Sequence, residues 1–134
     1  MLDTAMIHAK GTFQVSVKPT DHSPDSTLGS HSLDKQYHGD LEATARGEML
    51  SAGGLTGSGG YVAMERVTGK LHGKTGTFAI MQHGTMTKGT SPQMTVTIVP
   101  GSGTGELSNI DGTMTILIAD RKHSYDLGYF FSTP

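Results

Sequence analysis

The sequence contains no cysteine and no tryptophan, and only five of its 134 residues are proline. Without cysteine the chain has no disulfide bond, no thiolate nucleophile and no cysteine-ligated metal. Its start, MLDTAMIHAK, lacks the basic residues and the apolar run of about 7–15 residues typical of a signal peptide. No stretch approaches the ~20 apolar residues of a membrane span. We therefore expect a cytoplasmic protein.

Charged residues are also few, and neither sign dominates. Ten basic and twelve acidic residues give a net charge of −2 and are scattered singly, so no basic stripe for nucleic acid or anionic membrane exists. None of the seven histidines stands at a spacing typical of a metal site. The run Gly73-Lys74-Thr75 ends like a phosphate-binding loop, but Thr68 replaces its first glycine. We expect no nucleic acid, membrane, metal or cofactor as a partner.

What the sequence does have is glycine, nineteen residues of it, placed between and within segments of alternating hydrophobicity. Residues 7–17 alternate apolar and polar side chains, which is typical of a half-buried strand. Turn signals follow about every 10–15 residues and separate eight predicted strands, with no helix. Residues 1–134 are thus predicted to form one all-β domain, an eight-stranded antiparallel up-and-down β-barrel of lipocalin-like shape, with a sandwich as the alternative.

The central hairpin, residues 58–88, indicates which side chains face the barrel interior. With Gly73-Lys74 as a two-residue turn, His72 pairs with Thr75, and Glu65 lies opposite Gln82. The face that carries Glu65 is apolar but holds one carboxylate, one amide and one phenol, the mixture expected of a ligand pocket. Its members are Tyr61, Glu65, Val67, Leu71, Gly76, Ile80, Gln82 and Met86.

The later strands keep the same alternation. A strand is predicted over 93–99 and another over 106–118, and the turn Asp120-Arg121 pairs Ile118 with His123. A consistent phase over several strands is hard to obtain by chance. The apolar residues that share the face of Glu65 are Met86, Met94, Val96, Ile98, Met114, Ile116 and Ile118.

Three long motifs resemble the bacterial family called domain of unknown function 3224. They are DKQYHGDLEATARGEML (34–50), GYVAMERVTGKLHGKTGTFAIMQHGTM (60–86) and PGSGTGELSNIDGTMTILIADRKHSYDLGY (100–129). The resemblance implies an eight-stranded antiparallel barrel similar to allene oxide cyclase, often oligomeric and with an apolar cavity. More distant barrels of similar shape include bacterial cyclases that form spiro-tetronate rings. No cyclase active-site motif is matched residue by residue, so the resemblance bears on fold more than on chemistry.

Glu65 is the leading candidate for chemistry, because an inward carboxylate whose pKa is raised by desolvation can act as a general acid or base. The alternative is a structural role in which Gln82, Tyr61 or an inward Lys35 satisfies it. His123 is the second catalytic candidate. The final strand also brings the phenols of Tyr125 and Tyr129 to the same interior, where they can equally be core residues.

The order of the turns predicts which end of the barrel is open. In an up-and-down barrel, loops 19–30, 51–60 and 88–92 share one rim with turn 120–121. Just below that rim lie Tyr61, Met86, Met94 and His123. Deeper in the barrel we expect Glu65, Gln82 and Tyr125, and these seven side chains form the predicted ligand site.

The outward face of the central hairpin carries Val62, Met64, Ala79 and Met81, where a monomer should prefer polar groups. This pattern predicts a homo-oligomer, most simply a dimer. The alternative is a one-residue error in register, which would exchange the two faces and place Glu65 in solvent.

Three functional hypotheses follow. The first is a barrel that binds a small, largely apolar molecule in its lumen. The second is a cyclase or isomerase in which Glu65 or His123 moves a proton in the same cavity. The third is a non-catalytic structural or protein-interaction module with a filled core.

Overall fold

The computed structural model describes residues 5–54 and 56–132, and these form a closed barrel of eight antiparallel strands. Each strand pairs with the next along the chain, and the last pairs with the first. The predicted all-β, eight-stranded antiparallel barrel is confirmed. The strands are β1 (Ile7–Pro19), β2 (Leu28–Gly39), β3 (Leu41–Gly53), β4 (Gly59–Leu71), β5 (Lys74–Met86), β6 (Gln93–Ile98), β7 (Ile110–Ala119) and β8 (Lys122–Phe131).

The central hairpin has the predicted faces but a different register. Leu71 pairs with Lys74, so the turn consists of His72 and Gly73, and Glu65 lies opposite Ile80 rather than Gln82. Both turn residues have positive φ, +47° at His72 and +80° at Gly73, as a type I′ hairpin turn requires. The predicted pairing of His72 with Thr75 is therefore wrong by two residues. Because side chains alternate with a period of two, the inward and outward faces are unchanged.

The last hairpin forms as predicted, since Ile118 pairs with His123 across the turn Asp120-Arg121. The predicted strand 106–118 starts too early, however. The segment Gly105–Leu107 is a short 3-10 helix, and β7 begins only at Ile110. Gly105 has φ +62°, which takes the chain out of the extended conformation, and Leu107 is buried beneath this turn.

Four connections share one end of the barrel, here named the upper end, and they are those predicted to share the rim. They span residues 20–27, 54–58, 87–92 and 120–121. The first two are shorter than the predicted loops 19–30 and 51–60, because β1 to β4 extend further towards the rim. The lower end carries the remaining turns, at Asp40, at His72-Gly73 and over residues 99–109.

Large buried side chains fill much of the barrel interior. They come from strands on every side of the barrel, so they pack across the lumen rather than against a second layer. The resulting core is continuous and apolar. Its largest fully buried apolar members are Tyr37, Tyr129, Phe78, Leu41, Leu71, Ile80, Ile98, Leu107, Ile110 and Leu127.

The barrel wall is incomplete at one seam. In the described part of the chain, β6 and β7 pair at two positions only, Val96 with Met114 and Thr97 with Thr113. The upper half of β6 pairs with β5, and the upper half of β7 pairs with β8, so their facing edges are not joined near the rim.

Candidate functional site

A hydrogen-bonded polar cluster lies inside the apolar barrel and is centred on Glu65. Lys35 Nζ donates to Glu65 Oε2 at 3.0 Å, and Gln82 Nε2 donates to the same oxygen at 2.7 Å. The Tyr61 hydroxyl then donates to Gln82 Oε1 at 3.1 Å. Of the three partners that the structural alternative named, Lys35 and Gln82 thus bond Glu65 directly, and Tyr61 bonds Gln82. We call these four residues the polar cluster.

The polar cluster is shielded from solvent at its centre. The side chain of Glu65 is fully buried and that of Lys35 is 5% exposed, so the two charges lie in a medium of low dielectric constant. Lys35 Nζ also lies 5.2 Å from the centroid of the Phe13 ring, a favourable position for a cation. A buried ion pair of this kind needs further hydrogen bonds to offset its desolvation, and Gln82 provides one.

Two buried polar atoms on inward-facing side chains have no hydrogen-bond partner among residues 5–54 and 56–132. They are Glu65 Oε1 and the hydroxyl of Tyr37. Tyr37 is completely buried, and its ring lies 5.3 Å from that of Phe13, the ring that Lys35 covers. Burial raises the pKa of the Tyr37 phenol, and the negative charge of Glu65 raises it further. The charge of Glu65 therefore acts on the Tyr37 phenol.

Above the polar cluster the barrel opens into an apolar mouth. Four side chains that point inward near the rim remain between 39% and 55% exposed: Val17, Met86, Met94 and Ile118. A concavity of about 360 Å³ lies at this end, within the size range of small-molecule sites. Its walls include Met49, Tyr61, Met86, Pro92 and Met94.

A second groove of about 420 Å³ runs from the loop 20–27 to the outer surface of β4 and β5. Met49 lines both this groove and the mouth, and Gln82 lines the outer groove only. His31 lies in this groove, and its buried Nδ1 has no hydrogen-bond partner in the described residues. The other residues along it include His22, Leu50, Val62, Met64 and Met81.

The structure brings five of the seven predicted site residues to the upper half of the barrel around Glu65. Tyr61, Glu65 and Gln82 are joined by hydrogen bonds, and Met86 and Met94 line the mouth above them. His123 lies on β8, four strands away from β4 in the closed order, and packs against Phe13 with 5.1 Å between ring centroids.

Tyr125 does not join the predicted ligand site, because its hydroxyl lies at the lower end of the barrel. Its hydroxyl accepts a hydrogen bond from the Leu41 amide at 2.9 Å and donates to the His38 carbonyl at 3.0 Å, both at the lower end. Tyr129 likewise hydrogen-bonds His72 in the lower turn. These phenols close the lower end and do not reach the polar cluster.

Tyr37, Met49 and Val17 are site residues that the sequence reasoning did not select. Tyr37 shares an inward face with Lys35, two residues earlier on β2, so the alternation of that strand contained the signal. Its lack of a hydrogen-bond partner depends on the packing of β1, β2 and β4, which no local pattern encodes.

Over 5–54 and 56–132, no group of three or more histidine, aspartate and glutamate side chains is placed to hold a metal ion. No helix in the same ranges is both long and apolar enough to cross a membrane.

Comparison with known proteins places the chain in a family. Residues 9–129 match the family described as Protein of unknown function (DUF3224). A crystal structure of a protein with unknown function from the DUF3224 family of Shewanella oneidensis MR-1 is 40% identical and has a TM-score of 0.88. The match covers 96% of this chain and 99% of the Shewanella chain. No curated protein matches. The chain therefore belongs to the DUF3224 family.

Proposed function

We propose that this protein binds a small, largely apolar molecule at the upper end of its barrel. The observation that carries the proposal is the exposure of inward-facing apolar side chains at the mouth, directly above a buried polar cluster. Val17, Met86, Met94 and Ile118 point into the barrel yet keep 39–55% of their surface in solvent. Covering them with an apolar molecule would remove that surface from water, at roughly 25 cal/mol per Å².

The polar cluster provides the floor of this site and orients the bound molecule. Tyr61 lines the mouth and hydrogen-bonds Gln82, so its hydroxyl connects the mouth with the polar cluster. Behind it, Glu65 and Lys35 provide two charges in an apolar medium. A few convergent polar groups beneath apolar walls are typical of small-molecule sites.

Binding is favoured here over turnover, because both candidate proton carriers have structural contacts. Glu65 accepts hydrogen bonds from Lys35 and Gln82, and His123 packs on the Phe13 ring at the opposite wall. The likeness to allene oxide cyclase is a proposal that rests on the sequence motifs and on the eight-stranded barrel. It supports a lumenal site for an apolar molecule without assigning a reaction.

Methionine methyl groups allow a direct test, because they mark three regions of the barrel. We would label the methionine methyls with ¹³C and titrate the protein with 1-octanol and with octane. Binding at the mouth should shift the signals of Met86 and Met94, which line the mouth and not the outer groove. Met64 and Met81 on the outer face and the buried Met114 serve as internal controls. Shifts confined to Met64 and Met81, or no shift at all, would contradict the proposal.

A further inference from the structure

The inner wall of the mouth combines an aromatic ring with two thioethers. We propose that the molecule bound there is compact and contains an aromatic ring, which contacts the ring of Tyr61 and the side chains of Met86 and Met94. This inference names the chemical class of the ligand and rests on the proposed function.

Tyr61, Gly84 and Met94 form one inward row across three neighbouring strands. Tyr61 on β4 pairs with Gly84 on β5, and Gly84 pairs with Met94 on β6. A Cβ atom at Gly84 would meet Tyr61 Cε1 at 2.6 Å and Tyr61 Cζ at 3.2 Å. The Tyr61 ring therefore leans over the backbone of Gly84, towards the side on which Met94 lies. Its hydroxyl bonds Gln82 at 3.1 Å, which holds the ring in this orientation.

Met86 continues this surface towards the rim. It lies inward on β5 above the row and pairs with Gly59 on β4. Met86 and Met94 are 45% and 39% exposed, and both line the mouth cavity of about 360 Å³ together with Tyr61. Beyond Met86 the wall is backbone alone, because Gly53 and Gly59 pair there. A ligand can approach the peptide groups closely on that side.

These groups interact more favourably with an aromatic ring than with an alkyl chain. Two aromatic rings in an offset or edge-to-face arrangement gain stabilisation beyond that of their buried area. A thioether sulfur also makes a favourable contact with a ring. An alkyl chain at the same place gains only from the burial of its surface. The mouth should therefore distinguish the two classes of ligand.

The depth of the cavity favours a compact molecule. Of the polar cluster, only Tyr61 lines the cavity. Within the described part of the chain, the cavity thus ends at the level of Tyr61 and Met49. An extended alkyl chain would have to coil up or protrude into solvent, and fixing its rotatable bonds costs conformational entropy. A ring is already rigid and avoids that cost.

The test compares three hydrocarbons with the same number of carbon atoms, namely ethylbenzene, ethylcyclohexane and octane. Binding is measured by the ¹³C-methyl shifts of Met86 and Met94. If burial of apolar surface alone governs affinity, ethylbenzene should bind most weakly, because it is the least hydrophobic of the three. We expect the reverse order, with ethylbenzene at least about fivefold tighter than ethylcyclohexane. Nuclear Overhauser contacts from its ring protons to both methyls should locate the ring.

Two variants of Tyr61 separate the effect of its ring from that of its hydroxyl. Tyr61→Phe and Tyr61→Leu both lose the hydrogen bond to Gln82, but only Tyr61→Phe keeps the ring. Tyr61→Phe should retain the preference for ethylbenzene over ethylcyclohexane. Tyr61→Leu should lose most of it. If either variant fails to fold, the order of the three affinities in the wild type decides alone.

The outcomes separate this inference from the proposed function. Equal affinities for the three hydrocarbons, or tighter binding of octane, would overturn the aromatic ligand class and leave the apolar mouth in place. A preference for ethylbenzene that Tyr61→Leu retains in full would overturn the contact with the Tyr61 ring. If none of the three hydrocarbons shifts Met86 or Met94, the proposed function fails and this inference fails with it.

Discussion

Gly47 lies directly against Glu65, its partner across β3 and β4. A Cβ atom at position 47 would meet Glu65 Cγ at 2.7 Å and the Met64 carbonyl oxygen at 2.0 Å. The inward side of β3 therefore leaves the space through which the Glu65 side chain passes on its way to Lys35. A glycine that contributes no side chain to the core thus determines where the buried charge can lie.

Gly47→Ala should destabilise the protein by about 1–3 kcal/mol, because the added methyl group forces Glu65 and the β4 backbone to move. Urea denaturation of the wild type and the variant measures this loss. Gly60→Ala on the neighbouring strand is the control, since its Cβ would meet nothing closer than 3.3 Å. Equal losses in the two variants would show that Gly47 has no special relationship with Glu65.

Glu65→Gln should cost about 3–5 kcal/mol of stability, because it leaves the Lys35 ammonium buried without a counter-charge. Replacing both residues, as in Lys35→Met with Glu65→Leu, should recover much of that loss. Denaturant unfolding of the three variants gives both values. Asp34→Asn removes the exposed partner of Arg46 and should cost under about 1 kcal/mol. A loss of similar size for Glu65→Gln would mean that the pair is solvated.

The four tyrosines should ionise above the usual range in the folded protein. Burial raises the pKa of Tyr37, Tyr61, Tyr125 and Tyr129, with carboxylate charges adding to each shift. Unfolded phenols release their protons near pH 10, so above about that pH the unfolded chain binds fewer protons than the folded one. Stability should therefore be fully present below pH 10 and fall as the pH rises towards the folded values. Absorbance titration near 295 nm, with urea unfolding at two alkaline pH values, checks this; ordinary phenol ionisation in the folded state would contradict it.

A dimer should form through the outer face of β4 and β5. Val62, Met64 and Met81 are between 41% and 56% exposed there, and complete burial of such a side chain stabilises by roughly 1.5–3 kcal/mol. Light scattering should show a dimer for the wild type and a monomer for Met64→Lys. Leu117→Lys, which changes an equally apolar outward residue on β7, should remain dimeric. A wild type that is monomeric at all micromolar concentrations would remove the basis for this interface.

The alternation of side chains predicted the barrel and its inward face. The strand register was less predictable, because it depends on which two residues form each turn. Gly73 can occupy either position of a two-residue turn, and the sequence reasoning placed it first. In the structure it is second, and His72 adopts the left-handed conformation, which is uncommon for a residue other than glycine. An error of two residues keeps every side chain on its face, which explains why the inward position of Glu65 was predicted correctly.

The partners of Glu65 were less predictable than its orientation. Lys35 and Gln82 come from β2 and β5 and reach Glu65 through their long side chains, so their pairing depends on rotamers as well as on register. Tyr125 was expected beside them, but its hydroxyl turns towards the Leu41 backbone at the lower end. The cytoplasmic location, the dimer and the ligand stay predictions.

The short contact between β6 and β7 has a consequence for what the mouth can admit. A barrel joined along every strand resists any change in circumference, since widening it must break hydrogen bonds over the whole height of the wall. Here the upper edges of β6 and β7 can separate without breaking any hydrogen bond between them, while Val96 and Met114 hold the wall together below. We therefore expect the mouth to bind apolar molecules of different widths. It should discriminate among them by their length and by the chemical group at the end that enters the barrel.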